Sequence, residues 1–237
     1  MDRRDFVQTC VKSTACLGAG GLAGLQPVLA ADAKPKAYAR VLLTNEFGEP
    51  LKASSLAPQT NYVFNYPFEA TPVFLLDLGQ SVAATALSTR TKDSYQWPGG
   101  VGAKKSVVAF SAICAHHLVY PTKDVSFISF RKTKSTKGVQ DNLIHCCADH
   151  SQYDPAKGAQ VLSGPASQPL CAVLLTHDAK KDTLTAYATL GGELFDDFFK
   201  KYDAKLSLEV GGKARQAVTG QAVVKALDKY CRNAIQC

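Results

Sequence analysis

The chain has 237 residues, a formal net charge of +7, 46% hydrophobic residues and 20% charged residues. A chain of this length can bury a sizeable core in one domain, and its composition excludes an intrinsically disordered protein. The moderate positive charge favours an acidic partner or an anionic membrane surface. The sequence lacks the interleaved aromatic and basic residues that would indicate a nucleic-acid-binding protein.

Residues 1–33 have the pattern of an export signal. Arg3 and Arg4 precede an apolar but glycine-rich stretch at 14–30, and small residues suited to cleavage follow. This pattern resembles a twin-arginine signal peptide, which implies export of the folded protein, with its cofactor, to the periplasm. The stretch is short for a membrane span, which needs about 20 apolar residues. We expect a removed signal, and the alternative is a retained anchor that attaches the protein to the inner membrane.

The remainder, residues 34–237, is predicted to be mostly β-strand. β-Branched and aromatic residues recur in short segments that Gly, Pro, Asn and Asp separate. Segments 192–204 and 220–233 have helix-like apolar spacing, although the second is equally consistent with a strand at its start. Segment 80–104 is predicted to be a loop-bearing connection. The predicted strands are 38–44, 61–68, 72–79, 106–113, 125–130, 171–178 and 183–190.

Two short motifs each combine a cysteine with a histidine. Cys114 and His116 form C-x-H at the end of a predicted strand, and Cys147 and His150 form C-x-x-H on a second loop. Two such loops can clamp a two-iron cluster, so that one iron takes both cysteines and the other takes both histidines. Neutral imidazoles in place of two thiolates remove negative charge and raise the reduction potential.

These residues resemble the Rieske [2Fe-2S] family. "VVAFSAICAHH" (107–117) resembles its strand and first cluster loop, "CADHSQYDPAKG" (147–158) its second loop, and "VLSGPASQPL" (161–170) its Gly-Pro loop. "WPGGVG" (97–102) is similar to small Rieske subunits of the arsenite-oxidase type. The resemblance covers about residues 95–190. It implies one [2Fe-2S] cluster in an all-β domain of stacked antiparallel sheets with two cluster-binding loops, and the apolar spacing adds one or two short C-terminal helices.

The second loop admits two registers. Ser151 stands where the family pattern C-P-x-H-G-S has glycine, and the segment after His150 is one residue shorter. If "S-Q-Y-D-P" fixes the register, Cys146 replaces Cys147 as the ligand in a C-x-x-x-H arrangement. We predict Cys147, because a four-residue loop reproduces the family's clamp, and Cys146 stays the alternative. Ser151 and Tyr153 are candidate hydrogen-bond donors to the cluster sulfurs, beside ordinary roles in a turn and in packing.

The remaining cysteines indicate a disulfide. Val119 and Asp149 stand nearest to the places where respiratory quinol-oxidising members carry a bridging cysteine pair, so the resemblance predicts that this loop-to-loop bridge is absent. An oxidising compartment favours pairing of the cysteines that do not bind iron. We expect at least one disulfide to anchor the C-terminal tail, and a bond from Cys146 would stiffen the cluster loop. The cysteines left after Cys114 and Cys147 are Cys146, Cys171, Cys231 and Cys237.

The resemblance implies a periplasmic one-electron transfer protein without a catalytic site of its own. It would serve as the small subunit of an oxidoreductase, or as a carrier to a partner oxidoreductase or cytochrome. A second candidate is the Rieske subunit of a bc-type quinol-oxidising complex, which requires a retained N-terminal anchor. A third is a structural zinc protein, since tetrahedral zinc accepts two cysteines and two histidines. The histidines left over are too few for the separate iron site of a Rieske oxygenase.

Overall fold

The computed structural model describes residues 33–132 and 142–237. The predicted twin-arginine signal, together with the alternative of a retained anchor, therefore lies outside the described residues except for its last position. Within the described ranges, none of the helices is long and apolar enough to cross a membrane. The division of the chain into a signal and a Rieske domain stays a prediction.

Short strands make up most of the described chain, and the helices lie near its C-terminus. Helices α1 and α2 are Phe195–Val210 and Leu227–Tyr230. Strands β1 to β16 are, in order, Lys36–Thr44, Tyr62–Asn65, Pro72–Asp77, Thr85–Ser88, Ser94–Trp97, Val107–Ser111, Val125–Ser126, Ile128–Arg131, Leu143–Cys146, Gln152–Asp154, Gln160–Ser163, Ala172–Asp178, Thr183–Leu190, Gly220–Val223, Lys225–Ala226 and Asn233–Ala234.

The strands form one large sheet, one smaller sheet and two strand pairs. The large sheet has the order β14-β1-β13-β12-β6-β3-β2-β15, and the smaller sheet has the order β11-β10-β9-β8. β4 pairs with β5, and β7 pairs with β16. Neighbouring strands are antiparallel except at β1–β14 and β7–β16, where the pairing is parallel.

Side-chain alternation in the large sheet divides the core into two layers. In β3, Phe74 and Leu76 pack into the cluster that also holds side chains of the smaller sheet, whereas Val73 and Leu75 pack into a cluster on the opposite face. Because both faces are covered, β3 and β6 are almost continuously apolar and buried. The smaller sheet therefore stacks against the large one, and the predicted all-β architecture of stacked, mainly antiparallel sheets is confirmed.

The structure corrects the predicted connection at 80–104. This segment contains the hairpin β4–β5, in which Tyr95 and Trp97 are buried while Ser94 and Gln96 are exposed. The rings of Trp97 and Phe110 lie 5.5 Å apart between centroids, so the hairpin covers the large sheet. Its strands are short and alternate polar with apolar residues, which gives a weaker signal than the continuous apolar runs of the central strands.

The two C-terminal segments follow their predictions in part. Helix α1 begins three residues after the predicted start at 192 and extends beyond the predicted end at 204. Segment 220–233 begins as strands, with Gly220–Val223 pairing in parallel with β1 to form the edge of the sheet, and only its later part forms α2. The alternative, that segment 220–233 starts as a strand, is therefore confirmed. Pairing of Gly220–Val223 with β1 overrides the helix-like apolar spacing.

Candidate metal centre

The first loop follows β6 and presents Cys114 to the interior. The Leu118 N–H donates to the Cys114 carbonyl at 2.9 Å, and the Cys114 N–H donates to the Val119 carbonyl at 2.8 Å. These bonds close a tight turn, in which Leu118 adopts a positive φ of 58°. Cys114 is fully buried, whereas the His116 side chain retains 32% of its exposure. The loop thus places a thiol inside and an imidazole at the surface.

The second loop follows β9 in the smaller sheet. Cys146, the last residue of β9, is fully buried, and its N–H donates to the Ser151 carbonyl at 2.9 Å. The His150 N–H donates to the Cys146 carbonyl at 2.7 Å, which closes the loop upon itself. β9 pairs with β8 and β10, so the position of Cys146 is fixed from both sides of the strand.

The two loops bring three donor side chains together. The sulfurs of Cys114 and Cys146 and a carboxylate oxygen of Asp149 all lie within 4.8 Å of one another. Asp149 Oδ2 is 3.2 Å from Cys114 Sγ and 3.1 Å from His116 Nδ1. Both thiols and the Asp149 carboxylate are thus buried, and the imidazole of His116 lies toward the surface. Sequence reasoning did not identify Asp149, although the "S-Q-Y-D-P" register, with Cys146 as ligand, places it on the same loop.

Tyr153 supports the buried sulfur of the first loop. Its hydroxyl oxygen accepts the Ala115 N–H at 3.1 Å, so its own hydrogen is free to point to Cys114 Sγ, 3.2 Å away. Tyr153 is fully buried, and burial raises the pKa of its hydroxyl. The Tyr153 hydroxyl therefore lies within hydrogen-bond distance of a cysteine sulfur, and its predicted role as a donor to cluster sulfurs stays a prediction. Ser151 differs, because its hydroxyl accepts the N–H of Ala166 at 3.2 Å and so holds the Gly-Pro loop.

Hydrogen bonds and burial shift the pKa values of the donor side chains in different directions. A hydrogen bond from the Cys146 thiol, with another from the Tyr153 hydroxyl, outweighs burial and lowers the pKa of Cys114. The same shared hydrogen bond and burial raise the pKa of Cys146. Burial opposes ionisation of Asp149, yet hydrogen bonds led by the Ser151 N–H keep the pKa of its carboxyl below the ordinary value. Thiolates and carboxylates are the forms that bind metals.

Cys147 does not join this group, because it forms a disulfide with Cys237. A sulfur in a disulfide offers no thiolate, so the prediction of Cys147 as an iron ligand is corrected in favour of the alternative, Cys146. The reason is side-chain alternation at the end of β9, which directs Cys146 to the core beside Ile144 and turns Cys147 to the other face.

The disulfide anchors the C-terminal tail to the second loop. The prediction of such an anchor is confirmed, with Cys147 in place of Cys146 as the partner of Cys237. Arg131 reinforces it by donating to the Ile235 carbonyl at 2.8 Å and to the Cys237 carbonyl at 3.1 Å. Among the described residues, four cysteines are free and buried, namely Cys114, Cys146, Cys171 and Cys231.

His150 lies with a different set of side chains. One ring nitrogen of His150, one of His145 and the sulfur of Cys237 form a second group within 4.8 Å, and the two rings are 6.0 Å apart between centroids. Burial and the positive charge of Arg131 lower the pKa of His145 to about 4. Since Cys237 is already bonded to Cys147, this group offers two imidazoles only.

The Gly-Pro loop braces the second loop at close range. Gly164 has a φ of +87°, and a Cβ atom there would lie 2.5 Å from Ser151 Cα and 2.7 Å from the His150 carbonyl oxygen. Both contacts are to backbone, which cannot move aside as the end of a side chain can. Only glycine therefore fits at this position without displacing the second loop.

No protein-family model matches the chain. The structure is similar to the crystal structure of the soluble domain of Rieske protein II (soxF) from Sulfolobus acidocaldarius. That comparison has 25% sequence identity and a TM-score of 0.48, and it covers 66% of this chain and 82% of the other. The likeness to small Rieske subunits of the arsenite-oxidase type stays a prediction. The function proposed below depends on the donor set.

Peptide mapping of the unreduced protein tests the disulfide. After alkylation without reduction and cleavage at Lys and Arg, we expect the C-terminal peptide 233–237 to be linked to peptide 138–157. Fragmentation should place the alkyl group on Cys146 and the cross-link on Cys147, because only Cys147 is bonded to Cys237. A cross-link through Cys146, or two unlinked peptides, would contradict this assignment.

A pair of glycine substitutions tests the contact of the Gly-Pro loop. Gly164→Ala should destabilise the protein by more than Gly48→Ala and lower its metal content, since the added methyl group meets backbone of the second loop. Gly48 is the matched control, because it has a φ of +79° and open space around its Cβ position. There we expect only the cost of a positive φ, about 1–2 kcal/mol. Equal losses in urea unfolding and equal metal content would show that the contact is unimportant.

Proposed function

We propose that this protein transfers single electrons through a [2Fe-2S] cluster bound by the two loops. The observation that carries the proposal is the meeting of two buried thiols, Cys114 and Cys146, beneath a surface imidazole, His116. Sulfur ligands on the inner side and a nitrogen ligand on the outer side fit a two-iron cluster of mixed ligation. Export as a folded holoprotein agrees with the twin-arginine pattern in the sequence.

Each loop contributes in a defined way. Cys114 and Cys146 would hold the inner iron, and His116 and a side chain of the second loop would hold the outer one. When bound, the cluster accepts and releases one electron at a time. Tyr153 donates toward Cys114 Sγ, and the Gly-Pro loop keeps the second loop in position. No described residue beyond these ligands is needed for electron transfer, so any catalytic site belongs to a partner.

The surface near His116 is where we propose that a redox partner approaches. The His116 side chain is partly exposed, and the exposed ring of His117 stacks on it with 3.9 Å between centroids. Lys201 donates to the His117 carbonyl at 2.6 Å, which fixes the turn against α1. The partner would be a cytochrome or the large subunit of an oxidoreductase, and this chain would be its carrier or small subunit.

We place this activity in the periplasm. The Cys147–Cys237 disulfide supports an oxidising compartment, where such bonds form and persist. Attachment to the inner membrane depends on residues outside the described ranges and stays a prediction, as does the bc-type quinol-oxidising alternative that requires it. Structural zinc is the second candidate, because the close group of Cys114, Cys146 and Asp149 also suits one tetrahedral ion.

Cysteine variants of the exported protein test the proposal. The wild type should contain two iron atoms and two acid-labile sulfides and should give a rhombic EPR signal after reduction with dithionite. Cys114→Ala and Cys146→Ala should each abolish iron binding, whereas Cys171→Ala should retain it, because Cys171 is a buried free cysteine that does not belong to the group of donors. A colourless protein that contains zinc would replace the electron-transfer function by a structural one.

The Tyr153 hydroxyl provides a test of how the protein sets the potential. Tyr153→Phe removes the hydrogen bond to Cys114 Sγ without changing the packing volume greatly. A hydrogen bond to a cluster sulfur stabilises the reduced state, so we expect the midpoint potential to fall. A hydrogen bond that becomes stronger by about 1 kcal/mol on reduction raises the midpoint potential of a one-electron couple by about 40 mV. Redox titration followed by EPR measures the change, and an unchanged or higher potential would contradict the role.

A further inference from the structure

We propose that Asp149, rather than His150, is the fourth ligand of the cluster, so that the donor set is two thiolates, one imidazole and one carboxylate. This inference rests on the proposed function and departs from the two-histidine set expected from the sequence. The juxtaposition that carries it is a buried carboxylate on the second loop, in contact with Cys114 on one side and with His116 on the other.

The position of Asp149 is that of a ligand. One of its carboxylate oxygens shares the group within 4.8 Å with both cysteine sulfurs, and Oδ2 lies 3.2 Å from Cys114 Sγ and 3.1 Å from His116 Nδ1. Ligand atoms about 2 Å from a tetrahedral metal lie about 3.3 Å from each other. The spacing of the carboxylate oxygen and the imidazole nitrogen is therefore that of two neighbouring ligands on one iron.

The burial and charge of Asp149 call for a cation. The Asp149 side chain is 2% exposed, and across the described ranges it has no salt bridge with a lysine or an arginine. Its side-chain contacts are the imidazole of His116 and the thiol of Cys114, both within hydrogen-bond distance of Oδ2. A buried carboxylate without a cation is costly, and a metal ion at this position would compensate it.

The backbone of the second loop explains why Asp149 faces inward. Asp149 Oδ1 accepts the Ser151 N–H at 2.9 Å, which leaves Oδ2 free to face His116 and Cys114. The Gly-Pro loop passes close to the same backbone, since a Cβ atom at Gly164 would lie 2.5 Å from Ser151 Cα. The carboxylate is therefore held in place before a metal binds, as a ligand group should be.

The same backbone turns His150 elsewhere. His150 adopts a φ of +61°, and its ring groups with His145 and with the sulfur of Cys237, on the side of the disulfide. It is an exposed residue, and no group of three or more donors in the described ranges combines it with Cys114 or Cys146. Of the two neighbouring residues Asp149 and His150, the structure therefore places the carboxylate of Asp149 beside the thiols and turns the imidazole of His150 away from them.

Pulsed EPR of the reduced full-length protein counts the histidine ligands directly. With ¹⁵N-labelled histidine, we expect one strongly coupled ring nitrogen in the wild type, and it should disappear in His116→Ala. His150→Asn should leave the coupling, the g values and the iron content unchanged. Asparagine suits a positive φ, so this variant keeps the loop conformation while it removes the imidazole.

Variants at Asp149 provide the converse test. Asp149→Asn should lower the iron and sulfide content, because an amide binds iron poorly. The amide oxygen can still accept the Ser151 N–H, so the loop should keep its conformation. Asp149→His should restore the cluster, add a second coupled nitrogen and raise the midpoint potential, since a neutral ligand replaces a negative one.

Two results would overturn the inference in distinguishable ways. Two coupled histidine nitrogens in the wild type, one of them lost in His150→Asn, would assign His150 as the ligand and leave Asp149 as a residue that positions His116. That result leaves the proposed electron transfer intact. Failure of the wild-type protein to bind iron and sulfide would contradict the proposed function, and the ligand assignment with it.

Discussion

The contact on which the site depends is the meeting of two buried thiols from different sheets. Cys114 follows β6 of the large sheet, and Cys146 ends β9 of the smaller one. Both sulfurs lie in the same apolar cluster, so the packing of one sheet on the other sets the distance between them. Two side chains that could hold a metal are thereby placed by the core of the protein, which is more rigid than a surface loop.

Three separate contacts keep the second loop in this position. The disulfide to Cys237 and the hydrogen bonds of Arg131 tie it to the C-terminal tail, and Gly164 braces it from the Gly-Pro loop. The tail makes further backbone contacts, because β16 pairs with β7 immediately before β8. A segment far away in sequence thus stiffens the loop.

Charge is distributed unevenly across the site. Thiols lie in the interior, where the Tyr153 hydroxyl and backbone N–H groups lower the cost of a thiolate. His116 and the ring of His117 lie at the surface, where an electron could pass to a partner. A carboxylate at the outer position would add negative charge, compared with an imidazole, and would oppose the rise in potential that histidine ligands cause.

The sequence alone determined the strand-rich class and the presence of two cysteine-histidine loops. Continuous apolar runs, as in β3 and β6, predict buried strands because nearly every residue there meets a covered face. The hairpin at 85–97 and the strands flanking the second loop were not predicted, since short segments that are partly polar resemble loops.

Only the tertiary structure decided which donors meet. Cys146 and Cys147 are neighbours at the end of β9 whose side chains point in opposite directions. The register of β9 against β8, in which Cys146 pairs with Ile128, decides which of the two faces the core. The partner of Cys147 lies 90 residues away in sequence. The inward position of Asp149 likewise depends on the approach of Gly164 from another loop. Local pattern gives the chemistry of a side chain, but its direction depends on strand register and long-range contacts.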